Sequence, residues 1–305
     1  MTVSVTFLGG LGEIGRNCAA VEIDGKIALI DCGLMFPEED MLGVDLVFPD
    51  WSWLVERAKD IECVILTHGH EDHVGALGYF LREVNVPVYG TKLTTELARS
   101  RIDELGVESD LRAVAYKEWT THEPFEFSLI PVSHSVPEAS AVALNTPEGI
   151  IIHSGDFKLD PTPIDHRPTD LPAFATLGRN GVRLLLADST NAEKPGFEPS
   201  ESSVGKPISD VIRDAQGRVI AACFSSHVHR VQQIATAGIQ AGRKVAFFGR
   251  SMHKNTGIAA ELGILDVPDD AVVDIKDLAN FPPDKQLMIT TGSQGEPFAA
   301  LSLMS

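Results

Sequence analysis

Apolar and polar positions alternate from Val3 to Leu8, the period of a half-buried strand. Two further short strands are predicted over Cys18 to Ile23 and Lys26 to Ile30, joined at the hairpin signal Asp24-Gly25. They form an antiparallel layer that ends at Ile30-Asp31-Cys32-Gly33. Leu34 to Trp53 loses this periodicity and carries Pro37, Gly43 and Pro49, so it reads as a surface excursion with Trp51 and Trp53 as packing residues. Ile61 to Leu66 predicts a buried strand, and Ala76, Leu77, Phe80, Leu81 and Val84 fall at helical spacing within Val74 to Val84. A strand at Val86 to Tyr89, a helix near Lys92 to Leu105, and strands over Phe125 to His134, Gly149 to His153 and Leu184 to Ala187 follow.

Glu193 to Pro207 is rich in Pro, Gly, Ser and Glu and marks a transition near Ser200, dividing the chain into residues 1–200 and 201–305. Beyond it the pattern alternates. Val219 to Phe224 is a strand, Val228 to Gln240 a helix, Lys244 to Phe248 a strand, Asn255 to Leu262 a helix and Leu287 to Thr291 a strand, with a helix at Ala299 to Ser305. Such alternation predicts parallel pairing, with ligand-binding loops after the strands.

The chemistry concentrates in Thr67-His68-Gly69-His70-Glu71-Asp72-His73, a strand-to-helix loop. Alternate side chains of an extended segment point the same way, so His68 and His70 can reach one cation. Asp72 and His73, where the chain turns into the helix, can reach a second, and two such cations make a hydrolytic site. His134 and Asp156 each follow a buried strand. His134 completes the first group and Asp156 can bridge both. Asp31 either orients this loop from behind or caps a turn.

Gly10, Gly12 and Gly15 fit the G-x-G-x-x-G dinucleotide fingerprint, with Asp31 near the distance of a ribose-binding acid. That fingerprint requires a helix after the last glycine, and the predicted hairpin argues against it. The glycines instead let the backbone approach the metal loop.

Composition narrows the class. The chain has 305 residues, 44% hydrophobic and 22% charged, ordinary for a globular protein. No apolar run reaches the roughly 18 residues needed to cross a membrane, and Met1 to Leu8 lacks signal-peptide features, so a cytoplasmic location is expected. Cys18, Cys32, Cys63 and Cys223 are widely spaced and read as reduced core thiols. The net charge of −18 is uneven, since residues 1–150 hold 10 Lys+Arg against 25 Asp+Glu. Ala215 to Ala260 contains no acid but carries Arg218, Arg230, Arg243, Lys244, Arg250 and Lys254 with His227, His229 and His253, an island that could steer a polyanion. With no carboxylate in that stretch, His227 and His229 read as RNA, phosphate or structural histidines rather than metal ligands. Arg230 and Arg250 offer planar forks for phosphate.

His68-x-His70-x-Asp72-His73, His134 and Asp156 match the metal motifs of the metallo-β-lactamase fold. Gly9-Gly10-x-Gly12-Glu13-Ile14-Gly15-Arg16-Asn17, Asp156-Phe157-Lys158, Asp188-Ser189-Thr190-Asn191-Ala192-Glu193, Val228-His229-Arg230-x-Gln232-Gln233, Gly249-Arg250-Ser251-Met252 and Thr291-Gly292-Ser293-Gln294-Gly295-Glu296-Pro297 resemble bacterial ribonuclease J, of the β-CASP branch. The resemblance covers essentially the whole chain. It implies an α/β fold: a metallo-β-lactamase αββα sandwich over 1–200, with the start of an inserted β-CASP α/β domain over 201–305. It implies two divalent metals, most readily Zn2+ with Mn2+ or Mg2+ as alternatives. His68, His70 and His134 would hold one, and Asp72 and His73 the other, with Asp156 bridging. Asp72 or Asp188 would take the proton of the attacking water, although Asp188 also reads as a turn cap. His227, His229, Arg230, Arg250, Ser293 and Gln294 are the expected RNA contacts.

The implied activity is hydrolysis of single-stranded RNA, 5′-to-3′ with some endonuclease action, in RNA maturation and decay by a homodimer or tetramer. A thioesterase or lactonase on the same fold, a DNA-processing β-CASP nuclease and a non-catalytic RNA-binding module are the competing readings. Against the family pattern, a Ser-Gly-His segment, a further metal-binding histidine and a dimerisation domain do not occur. A truncated chain with a weak second metal site and poor turnover is therefore expected.

Overall fold

The structure, a computed structural model, describes residues 2–37 and 41–293. Two units are distinguished. The first comprises the residues up to His134 with 138–159 and 169–195, and the second comprises 135–137, 160–168 and the residues from Gly196 onwards.

The first unit opens with β1 (Val3–Gly9), β2 (Cys18–Ile23) and β3 (Lys26–Ile30), an antiparallel meander in which Ala19 faces Ile30 and Val5 faces Val21. After α1 (Ser52–Glu56) the chain forms β4 (Ile61–Ile65), α2 (Glu71–Val74), α3 (Leu77–Glu83), β5 (Val88–Gly90), α4 (Lys92–Glu104) and β6 (Leu111–Ala113). The sheet runs β1-β2-β3-β4-β5-β6, parallel from β3 onwards. A second sheet is built from β7 (Trp119–His122), β8 (Phe125–Pro131), β9 (Ser140–Thr146), β10 (Gly149–His153) and, after α5 (Leu171–Asn180), β11 (Val182–Leu186), in the order β11-β10-β9-β8-β7.

Both faces of the central strands are apolar, and successive residues choose opposite sides, as the strand period requires. Ile27, Leu29 and Val64 pack with Leu77, Phe80, Leu81 and Ile102 of the helices. Their neighbours Ala28, Ile30, Cys63 and Ile65 pack instead with Phe125, Phe127, Leu129, Val142 and Leu144 of the second sheet. The layers are therefore helix, sheet, sheet. On the far flank α5 leads into β11, and none of its residues is fully buried. Trp51 stacks on Phe48 and meets Phe80 edge-on, as expected of a packing residue. All four cysteines are free and buried.

The second unit contains α6 (Gly205–Asp214), β12 (Val219–Ala222), α7 (Val228–Gln240), β13 (Lys244–Phe248), α8 (Arg250–Glu261), α9 (Ile275–Leu278) and β14 (Gln286–Thr290). Its strands are all parallel, in the order β12-β14-β13. Among the described residues no helix is long and apolar enough to cross a membrane.

Several strand ends shift by one or two residues from the sequence reading, and three larger differences have a physical reason. The helix expected over Val74 to Val84 is two helices, α2 and α3. The Asp72 carbonyl is taken by Asn17 N at 3.0 Å, and Ala76 N donates to Cys32 O at 3.1 Å, so the helical ladder is diverted between them. The strand expected to reach His134 ends at Pro131, which leaves His134 on a loop. Helix α8 begins at Arg250, not Asn255, because buried Met252, Thr256 and Ala259 already give helical spacing once Thr256 counts as a core position. The helix expected over Ala299 to Ser305 lies outside the described residues.

Candidate metal centre

β4 delivers Thr67 to His70 in an extended run, and His68 Nε2 lies 3.1 Å from His70 Nδ1. His134 Nε2 reaches the same His70 Nδ1 at 3.1 Å. Asp156 Oδ2 stands 4.0 Å from His68 Nε2 and 3.7 Å from His134 Nε2. Its other oxygen, Oδ1, is 3.3 Å from His73 Nε2, which is 3.7 Å from Asp72 Oδ2. Two groups result, His68 with His70, His134 and Asp156, and Asp72 with His73 and Asp156; in each, one ligand atom per residue lies within 4.8 Å of the others. The six residues expected to be ligands come together, and Asp156 belongs to both groups.

Backbone contacts explain why these segments converge. Gly33 packs so closely on the first turn of α2 that a Cβ there would stand 1.6 Å from the Asp72 carbonyl oxygen. Gly155, at φ +57, lets the turn before Asp156 lie against Thr67 and Ser140, where a Cβ would come within 2.9 Å of Thr67 Cβ. Lys158 N donates to Ser133 O at 2.7 Å, tying the Asp156 turn to the segment that carries His134.

Asp31 resolves to the orienting role. It is fully buried, accepts from Thr67 N and Thr67 Oγ1 at 2.7 Å each, and lies 2.8 Å from His73 Nδ1. Because Thr67 gives its hydroxyl hydrogen to Asp31, it accepts from His68 Nδ1 at 3.0 Å. This network assigns hydrogens to both Nδ1 atoms and turns the Nε2 lone pairs of His68 and His73 towards the centre. Converging nitrogen lone pairs with carboxylate oxygens are a donor set that fits divalent cations.

For His68 and His134 the electrostatics agree with that fit. Burial, reinforced by neighbouring histidines, holds His68 well below its ordinary pKa, and burial brings His134 down to about 4, so both imidazoles are neutral near pH 7. Burial opposes charge on His73 too, but Asp31 and Asp156 outweigh it and raise its pKa. Burial raises Asp72, with Asp156 adding to the effect, whereas for Asp156 the His73 hydrogen bond and charge overcome burial and lower it.

A cleft of about 620 Å³ opens beside Asp72, His73 and Asp156, lined by Gly9 to Gly15 and by Ala187 to Asn191. The glycine-rich loop therefore borders the metal centre, and β2 follows it as predicted. Asp188 lines the same cleft. Its backbone N donates to Ser154 Oγ at 2.8 Å and its Oδ1 accepts from Thr190 N at 2.7 Å, so this acid beside the candidate centre is also a turn cap.

The basic island is largely occupied. Arg243 is buried and donates to the carbonyls of Ile212, Gly217, Gln286 and Ala215. Acids from outside the stretch fold back onto it. Glu201 Oε1 lies 2.7 Å from Arg230 and 3.4 Å from His227 Nε2, and Asp165 Oδ2 is 3.7 Å from His229 Nε2. The premise that no carboxylate accompanies these histidines is thus corrected. Neither joins a group of three or more converging metal-type ligands among the described residues. Arg250 is exposed at the first position of α8, not in a loop, and Ser293 is exposed. Gln294 lies outside the described residues.

Sequence reasoning assigned no role to Asn17, Thr67, His153 or Ser154. Asn17 Nδ2 donates to the Asp72 carbonyl at 3.1 Å, and half-buried His153, its pKa lowered by desolvation, lines the cleft. Their contacts run to backbone groups or to residues distant in sequence, which no local pattern announces.

Residues 11–220 match the family model of the metallo-beta-lactamase superfamily, and residues 216–305 match that of the ribonuclease J beta-CASP domain. The chain is 48% identical over 302 residues to a ribonuclease J of Mycolicibacterium smegmatis, covering 99% of this chain and 54% of that one. It is 42% identical over 305 residues to ribonuclease J2 of Bacillus subtilis, covering 99% and 55%. It is 43% identical over 307 residues to a ribonuclease J of Helicobacter pylori, covering 100% and 44%. It therefore spans about half the length of the curated relatives it matches. A crystal structure of a protein of unknown function from Enterococcus faecalis superposes with a TM-score of 0.69 at 18% identity, over 95% of this chain and 78% of that one, a likeness of fold. The chain belongs to the metallo-β-lactamase superfamily, and its residues 216–305 are similar to the beta-CASP domain of ribonuclease J.

Proposed function

We propose that this chain is the catalytic part of a metal-dependent ribonuclease that hydrolyses phosphodiester bonds of single-stranded RNA, 5′-to-3′ with some endonuclease action. The observation that carries the reading is Asp156, whose two oxygens face two separate ligand groups. His68, His70 and His134 would hold one divalent ion, Asp72 and His73 the other, and Asp156 both. Zn2+ suits this nitrogen-rich set best. Two such ions supply Lewis acidity, easing deprotonation of a water and neutralising charge on the phosphate oxygens.

The chain's own groups do the rest. Asp31 and Thr67 fix the imidazole orientations, so the donors are set before any ligand arrives. Asp72, its pKa raised by burial, is a better proton acceptor than an ordinary carboxylate, and Asp188 borders the same cleft as a second candidate.

We assign residues 1–200 to the metallo-β-lactamase domain and 201–305 to the β-CASP domain. In the latter, exposed Arg250 at the N-terminus of α8 is the best placed phosphate contact, with His227, His229, Arg230 and Ser293 as further RNA contacts. Four buried free thiols support a cytoplasmic location, and a homodimer or tetramer is what the resemblance to ribonuclease J implies. The test is cleavage of labelled single-stranded RNA, a matched DNA strand and a thioester by metal-free and metal-restored protein. Metal-dependent cleavage of RNA in preference to DNA supports the reading. Thioester hydrolysis with the RNA left intact overturns it.

A further inference from the structure

Helix α4 starts without a cap of its own. Thr91, its N-cap residue, is extended at φ −68, ψ 167, yet its side chain accepts nothing from the first turn. The hydroxyl instead lies 2.8 Å from Thr94 Oγ1 and 3.0 Å from the carbonyl oxygen of Glu138. The missing cap arrives from 45 residues away, where Glu138 Oε2 accepts from Leu93 N at 2.8 Å. Glu138 holds a left-handed backbone, φ 60, which a non-glycine residue adopts only when its surroundings impose it.

Glu138 ends the segment that presents His134. That segment is closed by Val132 N donating to Ala139 O at 3.1 Å. The next residue, Ser140, gives both its N and its Oγ to the carbonyl of Thr67, immediately before His68, at 2.9 and 2.8 Å. Helix α4 meets the His68-Gly69-His70 loop as well, so closely that a Cβ on Gly69 would stand 2.5 Å from Leu97 Cδ1. One helix thus abuts both histidine-bearing segments, the first through a carboxylate and the second through packing.

We propose that Glu138 is a positioning residue: by docking on the N-terminus of α4 it sets His134 against His68 and His70, and so governs how tightly the three-histidine group binds a divalent cation. The proposal rests on the metal-binding reading of that group. Nothing in it requires Glu138 to touch the ion.

The test titrates the metal-free full chain with Co2+, followed by its visible absorption bands and by heat of binding. Glu138→Ala is expected to weaken binding about 10-fold to 100-fold, the range for residues that orient metal ligands, and to change the band pattern. Glu138→Gln, which keeps an oxygen acceptor for Leu93 N, is expected to recover most of the affinity. Asp50→Ala removes the acceptor for Ser52 N at the start of α1, away from the centre, and is expected to lower the melting temperature while leaving Co2+ affinity unchanged. Should Glu138→Ala fail to fold, Glu138→Asp, which keeps the charge but shortens the reach, takes its place with the same expected loss. Equal affinity in wild type and the Glu138 variants, or an equal loss in Asp50→Ala, overturns the proposal alone. A wild-type chain that binds no Co2+ overturns the metal centre and this proposal with it.

Discussion

Asp31 Oδ2 lies 2.8 Å from Nδ1 of His73, 42 residues further along the chain, and both side chains are buried. The same carboxylate holds Thr67, and through it His68, so one buried acid orients a histidine in each ligand group. Replacing Asp31 by Ala leaves the Thr67 N–H buried without its acceptor, at a cost of about 1–3 kcal/mol. It also frees both imidazoles to rotate, and metal affinity is expected to fall by about 10-fold to 100-fold. Denaturant unfolding and metal titration of the same variant check both effects; unchanged affinity would show that the ligands orient themselves.

Gly33→Ala tests the backbone packing beneath the second ligand group. The added methyl meets the Asp72 carbonyl, which is main chain and cannot swing aside. Destabilisation of about 3 kcal/mol or more is expected, with α2 displaced and the Asp72–His73 pair lost as ligands. A variant with wild-type stability and full metal content would contradict this.

The metal-free protein should lose stability in mild acid. Burial holds His134 down to about 4 and lowers His68 and His153, whereas an unfolded histidine titrates near 6.5. Between these values the unfolded chain binds protons that the folded chain refuses, so stability falls as pH drops from about 6.5 towards 4, by an amount of order 3 kcal/mol for His134. His73 has the opposite shift; its contribution is fully present in this window and is lost only as pH rises through its folded value. Thermal melts in chelator at pH 7, 6, 5 and 4 measure the slope. A flat profile would remove the argument that these imidazoles are buried and neutral.

Chelation is expected to lower the melting temperature of metal-loaded protein and re-addition to restore it, because a ligand that binds only the folded state stabilises it by mass action. Calorimetric scans with and without chelator provide the check, and coincident transitions would contradict metal binding to the folded chain.

Much of the centre was legible because its ligands obey local rules. His68 and His70 are two residues apart on an extended segment, and His134 and Asp156 follow apolar strands, so period and composition were enough. Asp31 stayed ambiguous because its meaning depends on Thr67 and His73, more than thirty residues away. Asn17 and Ser154 were silent because they act on backbone groups and, for Asn17, on His73, 56 residues away. The histidines of the basic island misled in the opposite direction: a gap in acids along the sequence said nothing about Glu201 and Asp165, which the fold returns to them. The split between α2 and α3 was hidden for the same reason, since Cys32 and Asn17 take the hydrogen bonds that would have continued the helix.

The central claim is that six side chains from separate segments form one centre for two divalent ions. Anomalous diffraction at the zinc edge from crystals of the Zn2+-loaded chain tests it most directly. Two peaks are expected about 3.5–4 Å apart, one among His68, His70 and His134 and one beside Asp72 and His73, with Asp156 between them. Peaks confined to other parts of the surface, or none at these residues, would contradict it.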